Sequence, residues 1–136
     1  MCIFCSIINK EIPSSILYED DQALAILDIS QVTKGHTLVM PKQHVENMLE
    51  CDEETLSHVM EIAKKLGNHI MEKTGAAGMN ILSNIHEAAG QSVPHFHVHL
   101  IPRYGEDDAC VIKFNESESQ DLAALQQALQ YPKEGL

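Results

Sequence analysis

The chain has 136 residues, 44 % of them apolar, with four cysteines and no tryptophan. That is enough for one domain over 1–136 with a real core and no need of disulfides. A formal charge of −11 argues against a nucleic acid or an acidic membrane as partner, because no basic field draws a polyphosphate in. Any phosphate must then be held by local donors. No apolar run approaches the ~20 residues of a membrane span, and no basic region precedes an apolar core at the N-terminus. A soluble cytoplasmic protein is the expectation.

In chain order, Cys2 and Cys5 come first, as a C-x-x-C. Without a signal peptide this spacing reads as a metal or redox element. A redox pair of the thioredoxin kind follows a strand, and this one opens the chain, so metal is favoured. Residues 5–9 read as a short helix or turn. Residues 15–18 and 23–27 read as strands of a hairpin around Glu19-Asp20-Asp21, and 37–40 as another strand before Pro41. Asp52-Glu53-Glu54 opens a long helix in which Leu56, Val59, Met60, Ala63, Leu66, Ile70 and Met71 recur at helical spacing, with Gly75 after its end. His58 and His69 on that helix are expected at the surface, with no role. Strands are expected at 79–83 and 96–101, joined by a loop over 84–94, then a possible strand at 110–114 and a terminal helix at 121–129. The class is α+β with a mainly antiparallel sheet.

The run Pro94-His-Phe-His-Val-His-Leu-Ile-Pro102 carries the chemistry. In a strand, side chains alternate faces, so His95, His97 and His99 share one face within about 13 Å and Phe96, Val98 and Leu100 take the other. Three imidazoles so close can act on one phosphate or one metal.

This run resembles the histidine-triad signature. Leu27-Asp28-Ile29-Ser30, Gly35-His36-Thr-Leu-Val-Met-Pro-Lys-Gln-His44, and Asn84 before Gly90-Gln91-Ser92-Val93 are similar to the same superfamily in order and spacing. The likeness spans residues 2–103, and no motif covers the extension 105–136. It implies a five-stranded antiparallel sheet with a long helix, paired into ten strands in a homodimer, with the apolar side of the long helix shared between core and interface. It also implies a nucleotidyl hydrolase or transferase acting on AMP-type phosphoramidates or dinucleoside polyphosphates through a nucleotidyl-histidine intermediate. The alternative is a nucleotide-binding regulatory module whose hydrolysis is incidental.

By position, the resemblance makes His97 the nucleophile, His99 a donor beside the phosphate, Ser92 the partner of the leaving group, and His36 a support for the nucleophile. Asn84, Gly90 and Gln91 would wrap the phosphate, with backbone N–H groups supplying charge stabilisation. Asp28 would accept the ribose hydroxyls, and Ile12, Ile26, Ile29 and Leu38 would wall the base pocket. Cys2 and Cys5 with His44 and His95 make a Cys₂His₂ set, the ligands of a structural Zn²⁺, one per chain. A metal-free C-x-x-C, with His95 in a hydrogen bond, is the alternative.

Overall fold

A computed structural model of the chain describes residues 2–136. Helix α1 (Ile3–Ile8) leads into strands β1 (Ile16–Glu19), β2 (Ala23–Leu27) and β3 (Thr37–Pro41). Helix α2 (Glu53–Thr74), strands β4 (Gly78–Leu82) and β5 (Val98–Arg103), and helix α3 (Leu122–Leu129) follow. The five strands form one sheet in the order β1-β2-β3-β5-β4, and every neighbouring pair is antiparallel. The architecture is the α+β class expected. Among the described residues no helix is long and apolar enough to cross a membrane.

Helix α2 is the long helix the periodicity predicts. The Asp52 carboxylate accepts from Thr55 N at 2.8 Å, Glu53 and Glu54 lie in the first turn, and Gly75 ends it at φ 71°. A left-handed cap of this kind favours glycine. One stripe, Val59, Ile62, Ala63, Gly67 and Ile70, is buried. It packs with Ala23, Ala25, Val39, Phe96, Val98 and Leu100 on one sheet face. Burying each Val, Ile, Leu or Phe side chain among them stabilises by about 1.5–3 kcal/mol. The other face is covered by Phe4 and Ile7 of α1 against Leu24, Ile26, Leu38 and Met40. Helix α1 has six residues, too few to hold alone in water, so its attachments decide its place.

Three expectations are corrected. The last strand begins at Val98 rather than Phe96, because Phe96 N donates at 2.7 Å to the carbonyl of Val45 in a loop instead of joining a ladder. No strand forms at 110–114: Val111 and Phe114 stay exposed, and β-propensity without a neighbouring strand to pair with forms no sheet. His58 has a partner after all. Its Nε2 lies 2.7 Å from Asp20 Oδ2 and ties α2 to the β1–β2 turn. Burial opposes the charge of Asp20, but hydrogen bonds from Gln22 N, His58, Tyr18 and Ala23 N outweigh it and hold the carboxyl at about 2. His69 is exposed as expected. The terminal helix is capped by Asp121 and has no buried residue.

Candidate active site and metal cluster

The loop between β4 and β5 delivers the histidines. Gly90 sits at φ 99°, a conformation L side chains rarely adopt. Gln91 braces the loop: its Nε2 donates to Glu46 O at 2.6 Å and Val93 O at 3.1 Å, and its Oε1 accepts from His86 N at 2.8 Å. Asn84 Nδ2 donates to Gly90 O at 3.4 Å. The side chains of Asn84 and Gln91 are therefore spent on holding the loop, and neither they nor Gly90 line the neighbouring cleft. Ser92 does.

The alternation expected for the histidine run holds in direction. Phe96, Val98 and Leu100 pack beneath α2, while His95 and His97 turn toward Phe4 of α1 on the other face. Burial does not alternate, because α1 covers that second face. His95 is 0 % exposed and His97 8 %.

His97 Nδ1 lies 2.7 Å from the His95 carbonyl oxygen. A carbonyl only accepts, so Nδ1 carries the proton and Nε2 keeps its lone pair. Burial lowers the affinity of His97 for a second proton, against the pull of that carbonyl and of Asp28. The ring stands between two others. Phe4 is perpendicular at 4.9 Å between centroids, and His99 lies at 4.9 Å, tilted by 59°. Ser83 Oγ donates to the His97 carbonyl at 2.7 Å.

His36, expected to support the nucleophile, contacts the third histidine. Its Nδ1 donates to Ser30 O at 3.2 Å, so its Nε2 accepts from His99 Nδ1 at 3.0 Å. His99 is thereby left with Nε2 as its free nitrogen. Burial, then the charges of His97 and His36, push the imidazolium of His99 down to about 4. Asp28 closes this group, with Oδ2 3.7 Å from His36 Nε2 and Oδ1 accepting from Ser30 N at 2.8 Å.

Beside these rings lies a cleft of about 850 Å³. Asp28, Ser92, His97 and His99 line it, and so do all four apolar residues expected there: Ile12, Ile26, Ile29 and Leu38. Ile26 and Leu38 are buried, Ile12 is partly open, and Ile29 is fully exposed at the rim. Helix α1 adds Ile3, Phe4 and Ile7 to the wall, which the sequence reading missed. Their signal was the apolar spacing 3, 4, 7, 8 beside the C-x-x-C.

Cys2, Cys5, His44 and His95 converge at the far end of the same helix. Their donor atoms all lie within 4.8 Å of one another, a group that can hold a metal ion. Zinc bond lengths at tetrahedral angles require edges of about 3.6 Å for S···N and about 3.3 Å for N···N. The cluster has Cys2 Sγ–His95 Nδ1 at 3.5 Å, Cys5 Sγ–His44 Nδ1 at 3.3 Å, Cys5 Sγ–His95 Nδ1 at 3.7 Å and His44 Nδ1–His95 Nδ1 at 3.2 Å. Moreover, His95 Nε2 donates to Pro41 O at 2.8 Å, which leaves Nδ1 bare for a cation. The donor set fits a closed tetrahedral ion.

Residues 9–106 match the HIT domain family. The chain is 51 % identical over 107 residues to the protein named Protein hit of Bacillus subtilis, covering 79 % of this chain and 74 % of that one. It is 39 % identical over 106 residues to adenylylsulfatase HINT3 of Arabidopsis thaliana, covering 78 % of this chain and 54 % of that one. The crystal structure of a HIT family protein from Bacillus anthracis superposes with a TM-score of 0.88 at 45 % identity, over 93 % of this chain and 91 % of that chain. With the fold, the histidine run and these matches in agreement, the chain belongs to the HIT domain family.

Proposed function

We propose that the protein is a nucleotidyl hydrolase or transferase that cleaves AMP-type phosphoramidates or dinucleoside polyphosphates through a nucleotidyl-histidine at His97. The supporting observation is the hydrogen bond from His97 Nδ1 to the His95 carbonyl, which leaves a neutral nitrogen lone pair on a residue lining the cleft. In the first step that lone pair attacks the α-phosphorus in line. An N–P bond forms, the bond to the leaving group breaks, and the leaving group departs with the electron pair and takes up a proton from solvent water. In the second step water attacks phosphorus, the N–P bond breaks, and its electrons return to the imidazole. His99, with Nδ1 engaged by His36, has Nε2 free to take the proton of the attacking water and to return it as a donor. Ser92 would hydrogen-bond the leaving group. Asp28 would accept the ribose hydroxyls, and Ile12, Ile26, Ile29 and Leu38 would hold the base. Gly90 and the braced loop of Asn84 and Gln91 would offer backbone N–H groups to the phosphate.

Cys2, Cys5, His44 and His95 would hold one zinc per chain, which when bound contributes folding energy. Thiols serving as metal ligands suit a reducing compartment, so a cytoplasmic protein is the location we infer. We read residues 1–136 as one domain that pairs with a second copy. Strand β4 is an edge of the sheet, and edge pairing of two copies would satisfy its open backbone groups. Leu56, Met60 and Leu66 on α2 are not fully buried, whereas Ala63 is committed to the core. Sedimentation at low micromolar concentration should give a species near twice 15.1 kDa; a monomer with full activity refutes the pairing.

The functional test compares turnover of adenosine phosphoramidate, diadenosine triphosphate and diadenosine tetraphosphate, with low-temperature trapping of labelled AMP. Label on His97 is expected. Label on another residue overturns the nucleophile, and tight AMP binding without turnover of any of the three makes the chain a binding module. The name adenylylsulfatase belongs to the Arabidopsis relative; it supports an AMP half in the substrate.

A further inference from the structure

Helix α1 joins the cysteine-histidine cluster to the cleft. Its first turn carries two of the four metal donors, Cys2 and Cys5, and between them stand Ile3 and Phe4, which line the cleft. Phe4 is 7 % exposed, so its ring is held in place rather than swinging in solvent. That ring stands perpendicular to His97 at 4.9 Å, and at 76° to His95 at 5.9 Å. The tilted ring of His99 lies at 4.9 Å, and among the described residues the one side-chain hydrogen bond of His97, at Nδ1, fixes a single ring atom. The lateral position of the imidazole therefore depends on Phe4. Helix α1 is too short to hold Phe4 there by its own backbone bonds. Cys2 Sγ accepts from Cys5 N at 3.3 Å, which closes the turn but does not anchor it to the sheet. Packing of Phe4 and Ile7 on the sheet holds the body of the helix, and an ion shared with His44 and His95 would pin its first turn.

We propose that Phe4 is a positioning residue for His97, and that occupancy of the Cys2-Cys5-His44-His95 cluster sets the shape of the nucleotide cleft by holding Phe4 against that imidazole. The ion thus tunes nucleotide binding from outside the cleft, and its loss opens the α1 wall. The proposal rests on the reading of His97 as nucleophile only for its effect on turnover. Its effects on binding and on the His97 ring stand without that reading.

The experiment is a cycle of chelation and Phe4→Leu, a change that keeps an apolar side chain in the core and removes the ring. AMP affinity is measured by calorimetry, and the C–H resonance of the His97 imidazole by NMR, since a nearby aromatic ring shifts it. Chelation of the wild type should weaken AMP binding about tenfold and move the His97 resonance toward its place in Phe4→Leu. In Phe4→Leu, AMP binding should start several-fold weaker at one metal per chain, and chelation should add less than about threefold, because the two changes act through one contact. Equal fold-losses on chelation with and without the ring overturn the proposal, as does an unmoved His97 resonance in metal-free wild type. Should chelation unfold the protein, metal-loaded Phe4→Leu still decides. AMP affinity within twofold of wild type there refutes the role of the ring. Failure of the nucleophile reading would appear separately, as labelled AMP on a residue other than His97.

Discussion

His95 and His97 are two residues apart on the same side of one chain segment, and they are wired in opposite senses. In His95 the Nε2 proton goes to the Pro41 carbonyl and Nδ1 is left to the sulfur and nitrogen donors of the cluster. In His97 the Nδ1 proton goes to the His95 carbonyl and Nε2 is left to the cleft. One side chain type presents two different free nitrogens because a different backbone oxygen claims a different nitrogen in each. The neighbouring pair His36 and His99 repeats the device, with Ser30 O choosing the tautomer of His36 and His36 choosing that of His99.

The largest expected effect breaks the contrast at His97. His97→Ala should lose activity by three orders of magnitude or more while AMP still binds, as read by single-turnover kinetics and calorimetry. A loss within tenfold corresponds to only about 1.4 kcal/mol of barrier and would remove the residue from the chemistry. Breaking it at the cluster that His95 shares should act on the fold first. His44→Ala or Cys2→Ser should abolish metal binding in an elemental assay and lower Tm by about 10 °C, a loss of folding energy. Metal content near one per chain in Cys2→Ser would remove that cysteine from the ligand set.

The smallest effect sharpens the comparison by pH. The imidazolium of His99 sits at about 4 in the folded protein and near 6.5 in the unfolded chain. Between those values the unfolded state binds the extra proton, so stability is full above about 6.5 and falls as pH drops toward 4. His99 should account for at most about 2 kcal/mol of the difference between pH 7.5 and pH 5. Denaturant unfolding at both pH values should therefore show a smaller acid-side loss in His99→Gln than in the wild type. Equal losses would mean that this imidazole takes up its proton without resistance.

Much of this could be read from residue order. The period of two in His95, His97 and His99 placed them on one face. The acidic cap and glycine stop bounded α2 nearly to the residue, and the C-x-x-C marked the cluster that can hold a metal ion. What escaped were choices made by distant partners. Nothing local tells that Phe96 will bond Val45 and delay the strand, or that Gln91 will spend its amide on Glu46 and Val93. Nor does anything local tell that His36 will meet His99, a partner set by the register of β3 on β5, where Leu38 lies opposite His99. Phe4 and Ile7 escaped for another reason. An apolar side chain announces burial but not what it is buried against.

The carbonyl that orients His97 belongs to the main chain of His95, and this has an evolutionary consequence. Any amino acid at position 95 presents the same oxygen, so mutation there can create or delete an ion ligand without rewriting the tautomer two residues on. Descent can experiment with the cluster while the neighbouring nitrogen keeps its lone pair, and replacing the backbone amide linkage, rather than the side chain, is what would disturb it.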